Sequence, residues 1–166
     1  HRFRGTRVAN LDPLNRFDKP VIPELDPAHY GLGEEDMETA FDTGSLVTAN
    51  ESRMTLREIW QRLRRIYCAS IGAEYMHISE IAQKRWIQSR LEGVNGEADY
   101  PVETKKRILE RLTAAETLER YLHTKYVGQK RFSLEGGETL IPLLHYLLQR
   151  AGGQGVKETV IGMAHR

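Results

Sequence analysis

A histidine and an arginine side by side after an apolar run are the residues of this chain best suited by type to do chemistry. Thr159-Val160-Ile161-Gly162-Met163 leads through Ala164 to His165 and Arg166. The run has the composition of a strand buried on both faces of a parallel sheet. Such strands deliver functional side chains at their C-terminal ends, where loops line the ligand crevice. An imidazole there can take up or release a proton near neutral pH, and a guanidinium can pair with phosphate or carboxylate oxygens. The plainer alternative is a polar pair that ends a strand and meets solvent.

Other candidates carry less. Asp42-Thr43-Gly44-Ser45 has the letters of the catalytic turn of aspartic proteases, in which two such loops share a proton between two carboxylates. That chemistry needs apolar strands around the turn and a second copy. Here the preceding segment reads as helical and no second copy exists, so an ordinary helix-ending turn is expected. Gly152, Gly153 and Gly155 follow a helix and precede a strand, the reverse of a dinucleotide loop. His29, His77, His123 and His145 lack HxxxH or HExxH spacing, and Cys68, the only cysteine, allows neither a disulfide nor a CxxC site. No metal ligands are assigned. Cys68 ends an amphipathic segment and reads as a small buried residue. Arg57, Arg62, Arg64 and Arg65 could bind phosphates, but a solvated face or a contact with an acidic neighbour is the simpler expectation.

The elements that must position these residues fall into three segments. Residues 1–50 hold four of the six prolines, Pro13, Pro20, Pro23 and Pro27, and read as an irregular arm with one short helix from Glu34 to Phe41. Residues 51–127 read as a helical subdomain. Thr55-Leu56-Arg57-Glu58 is a capping box, followed by Ile59, Trp60, Leu63, Ile66 and Tyr67 on one stripe. A second helix is expected from Ser79 to Glu92, burying Ile81, Ile87 and Leu91, with Gly93 as its stop. A third starts after Pro101, with a bend at Thr113-Ala114-Ala115-Glu116. Residues 128–166 then read as the start of an α/β unit: an apolar helix from Thr139 to Ala151, a glycine loop, and the run from Thr159. A lone buried strand cannot satisfy its own hydrogen bonds, so its sheet partners are expected beyond Arg166.

Composition bounds the function. The 166 residues are 40% apolar and 28% charged, enough for one core or two small ones. The net charge is +1, distributed as −4 over residues 1–50, +3 over 51–92 and +2 over 93–166. That balance gives no reason to expect a nucleic-acid or membrane partner, and no apolar run approaches the ~20 residues that span a bilayer. The start, His1-Arg2-Phe3-Arg4, has neither an initiator Met nor a signal-peptide apolar region, so the chain is expected to begin in mid-protein and to be inactive alone.

Six segments, in order, carry a resemblance: 4–14 (RGTRVANLDPL), 41–46 (FDTGSL), 71–78 (IGAEYMHI), 84–88 (KRWIQ), 129–138 (QKRFSLEGGE) and 162–166 (GMAHR). Together they resemble the thiamine-diphosphate-dependent decarboxylating component of the 2-oxoglutarate dehydrogenase complex, from the first residue to the last. Thr6 departs from the His usual there. The resemblance implies an α/β enzyme, of which this chain would be a mainly α-helical piece with an irregular arm and the first helix-strand unit of a parallel-sheet thiamine-diphosphate domain. It implies oxidative decarboxylation of 2-oxoglutarate and transfer of succinyl to a lipoyl group in the tricarboxylic acid cycle.

By the same resemblance, His165 matches the family's active-site His and Arg166 an Arg that contacts the cofactor, while the ligands of the cofactor's Mg2+ lie outside this chain. The Phe132-Ser133 loop is expected to border the same site. The partners implied are a second copy in a homodimer and the dihydrolipoyl succinyltransferase and dihydrolipoyl dehydrogenase components. The implied location is the cytoplasm in a bacterium, which is preferred, or the mitochondrial matrix in a eukaryote. A 2-oxoadipate dehydrogenase relative and a non-enzymatic helical assembly or binding module stay open as alternatives.

Overall fold

The computed structural model describes residues 1–48, 51–96 and 99–162. These divide into two compact units, His1–Ala98 and Asp99–Arg166. The fold is mainly helical, and the sheet found among the described residues is a single antiparallel pair.

The first unit begins with the irregular arm. Pro23 and Pro27 each open a 3-10 turn, Pro23–Leu25 and Pro27–Tyr30, because a fixed φ and a missing N–H suit the first helical position. Asp26 caps the second turn by accepting from the Ala28 N–H at 2.9 Å, and Gly31, at φ 75°, ends it. The helix expected from Glu34 to Phe41 is not formed. A 3-10 turn, Glu34–Asp36, occupies its start, and strand β1 (Ala40–Asp42) occupies its end. β1 pairs with β2 (Arg53–Thr55) in the register Ala40↔Thr55, Phe41↔Met54 and Asp42↔Arg53.

The reason lies in the next element. Helix α1 (Leu56–Tyr67) must satisfy its first N–H groups from outside, and the Met37 and Thr39 carbonyls accept from Arg57 N and Leu56 N, each at 3.0 Å. Carbonyls committed to α1 cannot also build a helix through residues 34–41. The capping box forms as expected: Thr55 Oγ1 accepts from Glu58 N at 3.2 Å, and the Glu58 carboxylate accepts from Thr55 N at 2.8 Å. Ile66 and Tyr67 on the apolar stripe are buried and meet Tyr75 to make the core.

The arm is fastened along α1. The Trp60 indole N–H donates to the Leu25 carbonyl at 2.9 Å, and Asn10 N donates to the Ala69 carbonyl at 2.6 Å. Gly5 lies so close to the helix end that a Cβ there would sit 2.5 Å from the Tyr67 carbonyl oxygen. Any larger residue at position 5 would push the arm off α1.

Helix α2 (Ile81–Gly93) begins two residues after the expected start at Ser79, with Glu80 as its cap: the Glu80 carboxylate accepts from Ala82 N at 3.0 Å and Gln83 N at 2.8 Å. The expected apolar face is only partly realised. Ile87 and Leu91 pack on the Ile66–Tyr67–Tyr75 core, but Ile81 is 70% exposed, and the buried positions of the helix are Gln88 and Glu92.

In the second unit, helix α3 (Val102–Lys125) runs unbroken through Thr113-Ala114-Ala115-Glu116, where two alanines favour continuation over a new start. Helix α4 (Leu140–Gly153) packs against it. The loop between them is pinned where Leu134 N donates to the Glu119 carboxylate at 2.7 Å. Among the described residues of this unit Pro142 is buried, whereas Leu109, Leu118 and Leu143 remain more than half exposed. Residues 156–162 are not a strand, and Val160 is 95% exposed. A strand exists only through its ladder, and no described segment of this unit offers one. Among the described residues no helix is long and apolar enough to cross a membrane.

Candidate functional site

His165 and Arg166, the residues singled out by type and by resemblance, lie outside the described residues. Among the described residues no group of three His, Cys, Asp or Glu side chains is placed to hold a metal ion. The Phe132-Ser133 loop is exposed in the second unit and shares its ordering with Glu119 and with Glu138, whose carboxylate accepts from Gly136 N at 3.1 Å.

The Asp42-Thr43-Gly44-Ser45 turn follows a strand instead of ending a helix. Its Asp42 carboxylate accepts from Gly44 N at 2.6 Å, an Asx turn closed on itself, with Gly44 at φ 55°. Arg57 meets the acidic arm as expected, reaching Glu34 at 2.5 Å and Glu38 at 2.7 Å. Cys68 caps α1 half-buried, and burial pushes its thiol pKa up, away from nucleophilic use.

The most organised polar cluster is built on Glu92, whose side chain is wholly buried. Helix α2 carries it to the core, and four donors converge on it. From the arm, Arg2 Nε donates to Glu92 Oε1 at 2.6 Å. From α1, the Tyr67 hydroxyl donates to the same oxygen at 2.7 Å and shares a hydrogen bond of 2.8 Å with the Tyr75 hydroxyl. Val47 N donates to Oε2 at 2.8 Å, and Gln88, one turn earlier on α2, donates to Oε2 at 3.3 Å.

A second ring supports the first. Arg2 also donates to the Ser45 hydroxyl at 2.9 Å and the Ser45 carbonyl at 3.0 Å, and Gln88 Nε2 reaches that carbonyl at 2.6 Å. Arg62 donates to the Val47 and Glu92 carbonyls, both at 3.1 Å. The buried carboxylate thus has four donors, and the backbone at 45–47 is held at three points.

Burial opposes the charge on Glu92, but Arg2, Val47 N and Tyr67 outweigh it and hold the carboxyl below its usual range. The same burial, reinforced by the bonds to Tyr75 and Glu92, drives the Tyr67 hydroxyl far above its usual pKa. Such a carboxylate is ionised and fully bonded at neutral pH. It has no free lone pair for a substrate and no proton to give, so the arrangement is a structural tie.

Sequence reading missed this tie. Tyr67 falls on the apolar stripe by its spacing, yet a buried phenol needs a partner. The available signal was Gln88 and Glu92, spaced i and i+4 beside Ile87 and Leu91 on a helix with few apolar residues.

No family model matches the chain. Individual proteins do, along its whole length. It is 54% identical over 166 residues to the 2-oxoglutarate dehydrogenase E1 component of Cupriavidus necator, 49% to that of Azotobacter vinelandii and 46% to that of Coxiella burnetii. It spans 17% of the first of these proteins and 18% of the other two. The chain therefore matches, along its full length, one segment of the 2-oxoglutarate dehydrogenase E1 components.

Proposed function

We propose that the chain is a segment of a thiamine-diphosphate-dependent 2-oxoglutarate dehydrogenase, and that it serves oxidative decarboxylation of 2-oxoglutarate and succinyl transfer to a lipoyl group. The observation that carries this reading is the 54% identity over the full chain to an enzyme of that name. Thiamine diphosphate supplies the electron sink for decarboxylation when bound. The described residues do not fit its Mg2+, since no set of ligands converges among them, and the metal ligands fall to other parts of the homologous enzyme. His165 holds and moves a proton beside the substrate, and Arg166 pairs with the cofactor's anionic oxygens.

The remainder of the chain is scaffold within an α/β enzyme, with residues 128–166 entering its parallel-sheet domain. A homodimer and the succinyltransferase and dihydrolipoyl dehydrogenase components are the partners this reading names. The matched relatives quoted above are bacterial, which favours the cytoplasm.

The test uses the full-length polypeptide. Carbon dioxide release from 2-oxoglutarate that depends on added thiamine diphosphate and Mg2+ is expected, with 2-oxoadipate a poorer substrate. His165→Ala should abolish most of that release while the circular dichroism spectrum is unchanged. Undiminished release by the folded variant removes His165 from the mechanism, and faster turnover of 2-oxoadipate reassigns the substrate.

A further inference from the structure

The loop from Gln129 to Glu138 leads into α4, and α4 fixes which end of a sheet domain that loop occupies. In a parallel-sheet domain the strand after a helix runs antiparallel to it, so the ligand crevice at that strand's C-terminal end lies beside the helix's own N-terminus. The chain has the length for such a return. Helix α4, with 14 residues, is ~21 Å long, and the extended span of residues 154–162 reaches ~30 Å. Within the α/β reading above, the loop before α4 therefore borders the crevice from the helix side.

The loop's shape is set from α3. Glu116 pairs with Arg120 one turn along that helix at 2.6 Å, an ordinary use of an exposed helix carboxylate. Glu119, on the next turn, instead accepts from Leu134 N at 2.7 Å, across fifteen residues of chain. The loop folds tightly around this tie: Gly137 N donates to the Leu134 carbonyl at 2.7 Å, Gly136 takes φ 86°, and the Glu138 carboxylate accepts from Gly136 N at 3.1 Å. Immediately before the tie, Lys130 and Ser133 are exposed, an ammonium and a hydroxyl of the kind that donate to carboxylate oxygens. A carboxylate on a long helix thus decides where those two donors stand.

We propose that Glu119 is a positioning residue for the reaction: by holding Leu134 N it fixes the loop that presents Lys130 and Ser133 to the carboxylates of 2-oxoglutarate. This rests on the reading above that the chain is a segment of that enzyme and that residues 128–166 enter its parallel-sheet domain. Glu119 itself touches neither substrate nor cofactor, so its effect falls on substrate affinity and leaves the chemical step alone.

The experiment uses the full-length protein with thiamine diphosphate and Mg2+ in excess, and reads KM and kcat for 2-oxoglutarate beside amide exchange at Leu134. Glu119→Ala should speed exchange at Leu134 and raise KM severalfold with kcat little changed. Glu119→Gln keeps a side-chain oxygen to accept from Leu134 N and should return KM close to that of the unaltered protein. If Glu119→Ala does not fold, Glu119→Asp, one methylene shorter, gives the same readout. An unchanged KM in a variant whose Leu134 amide has been released overturns the proposal, and so does a loss of protection throughout α3 with KM unmoved, which would mean a role in stability alone. Absence of turnover by the unaltered protein overturns the enzyme reading and the proposal with it, so the two failures are told apart.

Discussion

Arg2 Nε stands 2.6 Å from Glu92 Oε1 across ninety residues of chain, and this pair joins the arm to α2. Because the Glu92 carboxylate is fully buried and the Arg2 side chain is 23% exposed, the pair is largely dry. Removing either partner leaves the other charged without its counter-ion.

Glu92→Ala should therefore destabilise the first unit by about 3–5 kcal/mol, the range for breaking a buried ion pair from one side. Native-state amide exchange in the full-length protein is the measurement, with loss of protection expected at residue 47 and through α1 together. Loss confined to α2 would show that the tie does not couple these elements.

Tyr67→Phe removes one hydroxyl that serves both Glu92 and Tyr75. A cost of about 1–3 kcal/mol is expected, because the Tyr75 hydroxyl and one carboxylate lone pair lose a partner in the interior. Tyr75→Phe should cost less, since the carboxylate keeps all its donors. Denaturation midpoints of the two variants, compared in one buffer, decide the order.

The pH dependence has a definite sign. Glu92 is held below its ordinary value of 4.5 in the folded state, so it binds fewer protons folded than unfolded. Its contribution is fully present above that value and is lost as pH falls through the lower folded pKa. Glu58 and Glu80, held down by their cap hydrogen bonds, act in the same direction. Acid titration followed by amide exchange should show the first unit weakening below about pH 4.5, and Glu92→Gln should flatten that dependence.

Thr55→Ala deletes the acceptor of the α1 capping box and should cost about 1 kcal/mol, with Thr55→Ser close to neutral. By contrast, Arg57→Ala should change stability little and only at low salt, because its bonds to Glu34 and Glu38 lie in solvent. A large, salt-independent effect of Arg57→Ala would mean that its bonds carry more of the arm's attachment than their exposure allows.

What could be read from sequence followed locality. The α1 capping box, the apolar helix α4 and the stop at Gly152-Gly153-Gln154-Gly155 are settled by neighbours within four residues, and each is found as expected. Residues 34–41 deceived because Met37, Ala40 and Phe41 mimic a helical face, while the carbonyls of Met37 and Thr39 are claimed by α1. Helix α2 deceived because its inward residues are polar, and their partners lie up to ninety residues away. The run from Thr159 has the composition of a strand, but a strand is a property of two segments, and periodicity describes only one. Family resemblance was legible because it rests on order and identity of residues, which need no contacts at all.

The ninety-residue reach from Arg2 to Glu92 also orders events in time. A chain grows from its N-terminus at ~5–20 residues per second, so Arg2 emerges on the order of ten seconds before its carboxylate exists. Over that interval Arg2 has no counter-ion, and α1 holds a buried-to-be phenol without a carboxylate acceptor. Pairing of Arg2 is consequently a late step of synthesis, gated by the completion of α2, and translation speed between those two residues sets how long the tie stays open.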